Sequence, residues 1–220
     1  METVTTSGSA AVRPGGGTSV EGAGCDVLDN ATAQGVNMAI WRRGPMPELG
    51  REVAGIGPDW CEALRLNTAV TSADVALARA LDGADLDPQA LKHWIMDMAG
   101  LAAVFARLLG KSSVQIRIEA MRATMCPRFH VDHNDLRLLC TYRGPATEWL
   151  TNDQVDRHAL ANGRPNEELM RFGPAQCMEP LWVGIMKGGR FPGNEGNGLV
   201  HRSPPVENPD RTRILFCVDA

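Results

Sequence analysis

The hydrophobic period of the chain changes at Gly110. Before it, "DPQALKHWIMDMAGLAAVFARLLG" spaces Leu91, Trp94, Ile95, Met98, Leu101, Ala102, Phe105 and Leu108 three or four apart, the stripe of one helix face. Asp87 suits the cap, Pro88 the first turn, and Gly110 the position just past the end. After it, "SVQIRIEAMRA" alternates Val114, Ile116 and Ile118 with Gln115, Arg117 and Glu119, the period of a strand with two unlike faces. A chain that reads helical first and β later does not fit a βαβ alternation. It fits helices stacked on one side of antiparallel strands.

The same reading extends in both directions. "GPDWCEALRL" and "SADVALARALDG" are expected to be helices, which gives a helical layer over about residues 46–110. "LRLLCTYRG", "LWVGIMKGG", "GLVHR" and "TRILFCVD" are expected to be strands of a β-rich region over about 113–220, with a short helix in "PNEELMRFG". The expected fold is α+β: an N-terminal helical layer packed on an antiparallel double-stranded β-helix, a jelly-roll or cupin-like architecture. Residues 1–35 are expected to be a disordered leader, because they begin with mostly Gly, Ser, Thr and Ala and offer little apolar surface to offset their ordering entropy. A single globular domain is expected over 36–220, starting at "VNMAIWRR".

Composition narrows the function classes. With 22 Lys+Arg against 26 Asp+Glu and no run of like charge, a nucleic-acid backbone is not the expected partner. Six scattered cysteines without a CxxC pair read as free thiols of a reducing compartment. No secretory pattern and no run of about 20 apolar residues is present, so a cytoplasmic protein without membrane partners is expected. The expected partner is a small-molecule or otherwise unknown substrate.

Chemistry concentrates in "CPRFHVDHNDLRLL", residues 126–139. In an extended segment His130 and Asp132 share one face, and His133 points the other way. A third ligand has to come from a distant strand, and His201 in "GLVHRSPP" is the candidate. Two imidazoles and one carboxylate with open positions are the ligand set of mononuclear Fe(II) sites. Downstream of His201, Arg211 and Arg213 fall on one face of the last expected strand, where a guanidinium can hold a carboxylate in a two-toothed pair; Arg202 is a further candidate. Tyr142, Trp149 and Lys187 are candidates for pocket lining. The glycines of "MKGGRFPGNEGNG" lack phosphate-loop spacing and are expected to form a mobile rim, with Lys187 and Arg190 as possible substrate contacts. The rival reading is a closed zinc site in which Cys126, or less readily His133, adds a ligand, for a non-catalytic metal-handling protein.

His-x-Asp, a distant His and an Arg about one strand later resemble the Fe(II)/2-oxoglutarate dioxygenases, and "TYRGPATEW" resembles the Gly-Gly-x-Thr turn of many members. That resemblance implies iron at His130, Asp132 and His201, with 2-oxoglutarate held by Arg211 or Arg213. A closer resemblance lies in the blocks "CPRFHVDHNDLRLLCTYRGPATEWL" and "MKGGRFPGNEGNGLVHRSPPVENPDRTRILFCVD". They look like the signature blocks of a bacterial family known as domain of unknown function 1826, over roughly residues 35–220. The family carries no assigned activity. It implies a metal, makes His133 the less favoured ligand, and implies a link to zinc-homeostasis GTPases.

Overall fold

The computed structural model describes residues 19–206 and 212–219. The described residues open with β1 (Ser19–Gly22), a 3-10 helix (Cys25–Thr32) and β2 (Met38–Trp41), followed by α1 (Pro47–Gly55) and β3 (Ala63–Ala69). Then come α2 (Ala73–Asp82), α3 (Lys92–Leu109), β4 (Ser113–Met121), β5 (Leu136–Arg143) and β6 (Glu148–Leu150). Two short helices, α4 (Arg157–Ala161) and α5 (Asn166–Leu169), precede β7 (Gln176–Cys177), β8 (Val183–Lys187), β9 (Val200–Arg202) and β10 (Arg213–Asp219).

Among the described residues the strands form a seven-stranded sheet, β1-β2-β8-β5-β10-β4-β3, and a three-stranded sheet, β7-β6-β9. Every pairing among them is antiparallel except β1 with β2. The switch at Gly110 is a left-handed helix end: Gly110 has φ 62°, and Lys111 donates back to Ala106 at 2.9 Å.

Alternation along the strands of the large sheet gives each of its faces a core of its own. Ile116 and Ile118 of β4, Leu138 and Cys140 of β5, and Phe216 of β10 pack with Trp94, Met98 and Phe105 of α3. On the other face of the sheet, Leu139, Met186 and Cys217 pack with Trp149 of β6 in the three-stranded sheet. The molecule is therefore a mixed α/β structure in which a large, mainly antiparallel sheet carries helices on one face and a small sheet on the other.

Three expectations are corrected. Residues 19–35, assigned above to the leader, form a strand and a 3-10 helix, and the large apolar residues there are what anchors them: Val20, Val27 and Leu28 are buried. The part of the leader over residues 1–18 lies outside the described residues. "GPDWCEALRL" is not a helix. Its second half enters β3, where Leu64, Leu66 and Thr68 are half-buried and the residues between them exposed, the period of an edge strand paired to β4. Strands thus flank and interrupt the helices instead of simply following them. No helix among the described residues is long and apolar enough to cross a membrane.

Candidate metal centre

Residues 122–135 cross from β4 to β5 without regular structure, and within them His130 pairs with His201 of β9. Each N–H donates to the other's carbonyl at 3.0 Å. An antiparallel pair of this kind puts both side chains on one face, and the rings lie 4.5 Å apart between centroids. Each ring is oriented from behind: His130 Nδ1 lies 2.9 Å from the Arg128 carbonyl, and His201 Nδ1 lies 3.2 Å from the Leu199 carbonyl. A carbonyl accepts only, so each Nδ1 carries a proton, and in the neutral ring Nε2 keeps its lone pair.

Both Nε2 atoms face Asp132. His130 Nε2 is 3.6 Å from Oδ1, and His201 Nε2 is 3.5 Å from Oδ2. These separations are long for hydrogen bonds. They suit donors arranged around one ion at about 2.0–2.2 Å from each, and one ligand atom from each of the three residues lies within 4.8 Å of the others. His201 and Asp132 are largely covered, with 8% and 15% of their side chains exposed, whereas His130 is 36% exposed. The group is therefore reached from the His130 side. The fixed tautomers, the covered carboxylate and the ligand-to-ligand spacing all fit a divalent cation.

For His201 and Asp132 the electrostatics agree with ligation, whereas at His130 a proton competes with an ion. Burial pushes His201 down to about 4, against the pull of Asp132, so its imidazole is neutral at neutral pH. Burial works against the Asp132 carboxylate, but His130, His201 and Arg137 together hold it well below the ordinary carboxylate range. Asp132 beside it holds His130 above its ordinary value.

The backbone of the Asp132 segment is clamped by the glycines expected to be a mobile rim. Gly189 N–H donates to the Asp132 carbonyl at 2.7 Å, Gly188 N–H to Asp135 at 2.9 Å and Arg190 N–H to Asn134 at 3.1 Å. A Cβ on Gly188 would overlap Asn134, and one on Gly198 would overlap the Val131 side chain and the Gly188 backbone. The glycines permit this close approach. Gly188, Gly189 and Gly198 thus act as a clamp, whereas Gly193 and Gly196 have open space around them.

A cavity of about 280 Å³ opens beside the group, with Arg117, Arg137, Thr147, Arg202 and Cys217 in its wall. Cys126 also lines it but stays outside the three-residue group, and His133 is exposed and likewise outside. Arg202 reaches the cavity with Nε bonded to Glu148 at 2.6 Å, its guanidinium stacked 4.6 Å over Phe129. Arg211 lies outside the described residues. Arg213 is 1% exposed; it donates from Nε to the Pro145 carbonyl at 2.7 Å and from Nη2 towards the hydroxyls of Thr141 and Thr147, at 3.4 and 3.3 Å. Its Nη1 is buried without a partner among the described residues. Gly144, at φ 85°, makes room for this side chain, because a Cβ there would stand 3.2 Å from Arg213 Cα and Cβ.

The three residues named for pocket lining are placed elsewhere. Tyr142 is on the helix-facing side of β5, where its hydroxyl donates to Asp97 at 2.5 Å. Lys187 is buried, donating to the Ala33 carbonyl at 2.6 Å and lying over Phe191. Trp149 is buried in the core between the sheets, in register with His201 but outside the cavity wall. Alternation explains two of these: Tyr142 shares the apolar face of Leu138 and Cys140, and Lys187 follows Val183 and Ile185. The same alternation places Arg137 and Arg117 on the cavity face, and it is the sequence signal that finds both residues.

Residues 22–219 match the model of a family described as "Protein of unknown function (DUF1826)". A search of curated proteins found no sequence match. Among solved structures, a dioxygenase for auxin oxidation from rice is similar at a TM-score of 0.51 and 16% identity, over 87% of this chain and 75% of that one. That similarity establishes a shared fold. A prolyl-4-hydroxylase from Pseudomonas putida (TM-score 0.45, 11% identity, 88% of this chain and 96% of that one) is a weaker likeness. So is a dioxygenase for auxin oxidation from Arabidopsis thaliana in its complex with 2-oxoglutarate (0.40, 15%, 79% and 71%).

Proposed function

Since the chain belongs to the DUF1826 family, whose description names no activity, we propose its function from the site: it is a mononuclear-metal oxygenase that uses Fe(II) and 2-oxoglutarate. The observation that carries the reading is a His130–Asp132–His201 group opening onto a cavity whose wall residue Thr147 is bonded to a buried Arg213, the Nη1 of which has no partner among the described residues. A guanidinium donor buried without a partner costs free energy unless a ligand takes it up. A carboxylate is the partner its geometry favours.

In this reading the seven- and three-stranded sheets are the two halves of a double-stranded β-helix, with α1–α3 as its outer helical layer. His130, Asp132 and His201 hold the ion through two Nε2 atoms and one carboxylate oxygen. Bound Fe(II) supplies the redox chemistry with O₂ that no side chain can supply. Arg213 and Thr147 bind the distal carboxylate of 2-oxoglutarate and fix its orientation. The arginines and acids of the cavity wall pair with one another, so the substrate meets a neutralised polar surface. The overall reaction inserts one oxygen atom of O₂ into the substrate and the other into succinate, with loss of CO₂ from 2-oxoglutarate. A cytoplasmic location belongs to the same proposal.

The test is anaerobic purification, metal analysis, and addition of Fe(II), 2-oxoglutarate and O₂. Succinate formation that needs Fe(II) and disappears in H201A is expected. Stoichiometric Zn that resists exchange, with no succinate, overturns the reading in favour of a closed zinc site; Cys126, lining the same cavity, is then the fourth ligand to examine.

A further inference from the structure

Arg137 is on the cavity face of β5, in register with Asp219 of β10. Each of its three guanidinium nitrogens donates to a carboxylate. Nη1 donates to Asp132 Oδ2, Nε to Asp219 Oδ1 at 2.7 Å, and Nη2 to Asp219 Oδ2 at 3.3 Å. Asp219 is held in turn by Asn134 Nδ2 at 3.1 Å and Arg117 Nε at 3.2 Å, and Arg117 Nη1 reaches Glu119 at 3.0 Å. The ladder crosses β5, β10 and β4, and its paired arginine and acidic side chains are all under 20% exposed. A planar fork anchored at two corners has little freedom at the third.

The two oxygens of Asp132 are therefore unequal. Oδ2, 3.5 Å from His201 Nε2, is engaged by a charge-assisted bond from Arg137, whereas Oδ1 has no hydrogen bond among the described residues and faces His130 Nε2 at 3.6 Å. A carboxylate with both oxygens free can bind an ion through either or both. We propose that Arg137 is a positioning residue: it occupies Asp132 Oδ2, so that the carboxylate ligates through Oδ1 alone and a coordination position stays available to exogenous ligands. The proposal rests on reading the group as a metal site. It adds the reason that site is open, namely a second carboxylate oxygen kept off the ion by a guanidinium anchored on Asp219.

The test uses Co(II) on the full chain, with visible absorption to report coordination and azide as the exogenous ligand. R137A is expected to change the Co(II) spectrum, as the freed oxygen joins the ion, and to weaken azide binding about tenfold. R137K, which keeps one donor on Oδ2, is expected to return the spectrum towards wild type. D219N loosens Arg137 without touching a ligand and is expected to shift the spectrum in the same direction by less; it decides the matter if R137A does not fold. A wild-type spectrum in R137A, or in D219N where R137A is unfolded, overturns the positioning role even if azide affinity falls, because charge alone accounts for a change in anion affinity. If the wild-type chain takes up no stoichiometric Co(II), the metal reading itself falls and takes this proposal with it.

Discussion

Arg213 of β10 donates from Nη2 to the hydroxyl of Thr147, 3.3 Å away at the entrance to β6, so one buried guanidinium bridges the two sheets, and its Nη1 has no partner among the described residues. Substituting Met at this position removes the donors while keeping much of the volume. Replacing a buried charge by an apolar side chain of similar size is often tolerated. R213M is therefore expected to fold, and to bind 2-oxoglutarate about 10- to 150-fold more weakly in the metal-loaded protein, the equivalent of roughly 1.5–3 kcal/mol for hydrogen bonds to a charged group. Anaerobic calorimetry with Co(II) in the site measures it. Unchanged affinity removes Arg213 from the co-substrate site.

His201 makes metal-free stability depend on pH in a definite direction. Its value is about 4 in the folded protein against 6.5 ordinarily. Between these two values the unfolded chain takes up a proton that the folded site refuses, so stability is lost as pH falls from about 6.5 to about 4. The full gap is on the order of 3 kcal/mol. His130 is shifted upwards and acts in the opposite sense: its contribution is present at low pH and fades as pH rises through its folded value. Asp132 is shifted downwards, and its contribution is lost only at lower pH still. Urea midpoints measured across pH 4–7 are expected to fall towards acid in the wild type and to flatten in H201Q. An equal slope in H201Q contradicts the assignment.

The clamp on the Asp132 segment predicts a paired effect. G198A places a methyl group against the Val131 side chain and the Gly188 backbone. Overpacking of this kind costs about 1–3 kcal/mol. V131A relieves the side-chain part of the clash, so the double variant is expected to be more stable than the sum of the two single changes. A double-mutant cycle in urea measures the coupling. Additive costs refute direct packing of these two residues.

Beneath the sheet, Arg43 is joined to Asp97 of α3 at 2.6 Å, with only 4% of the arginine side chain exposed. Asp97 also accepts the Tyr142 hydroxyl, and Arg43 donates to the Leu181 carbonyl at 2.6 Å. D97A leaves a buried cation without its carboxylate and is expected to cost about 3–5 kcal/mol. R43M in the same chain is expected to restore part of that loss. Unfolding midpoints by circular dichroism decide it.

Much of this was legible in order along the chain. The helix before Gly110 and the strand after it are written in local periods, and local periods survive packing because each element buries one face whatever its neighbours are. The His130–Asp132 spacing was legible for the same reason. Alternation also separated Tyr142 and Cys140 from Arg137 on β5, but it only sorts residues into two faces. Which face meets the helices and which meets the cavity depends on what packs there, and for that reason local alternation does not place Tyr142 and Lys187 away from the cavity or Arg137 beside it. The second half of "GPDWCEALRL" has helix-forming residues and became β3 because pairing with β4 outweighed local preference. The pairing of His130 with His201 is the clearest case. Each residue is visible in the sequence, but their shared face rests on two main-chain hydrogen bonds between segments far apart in the chain, and only the closed tertiary structure sets that register.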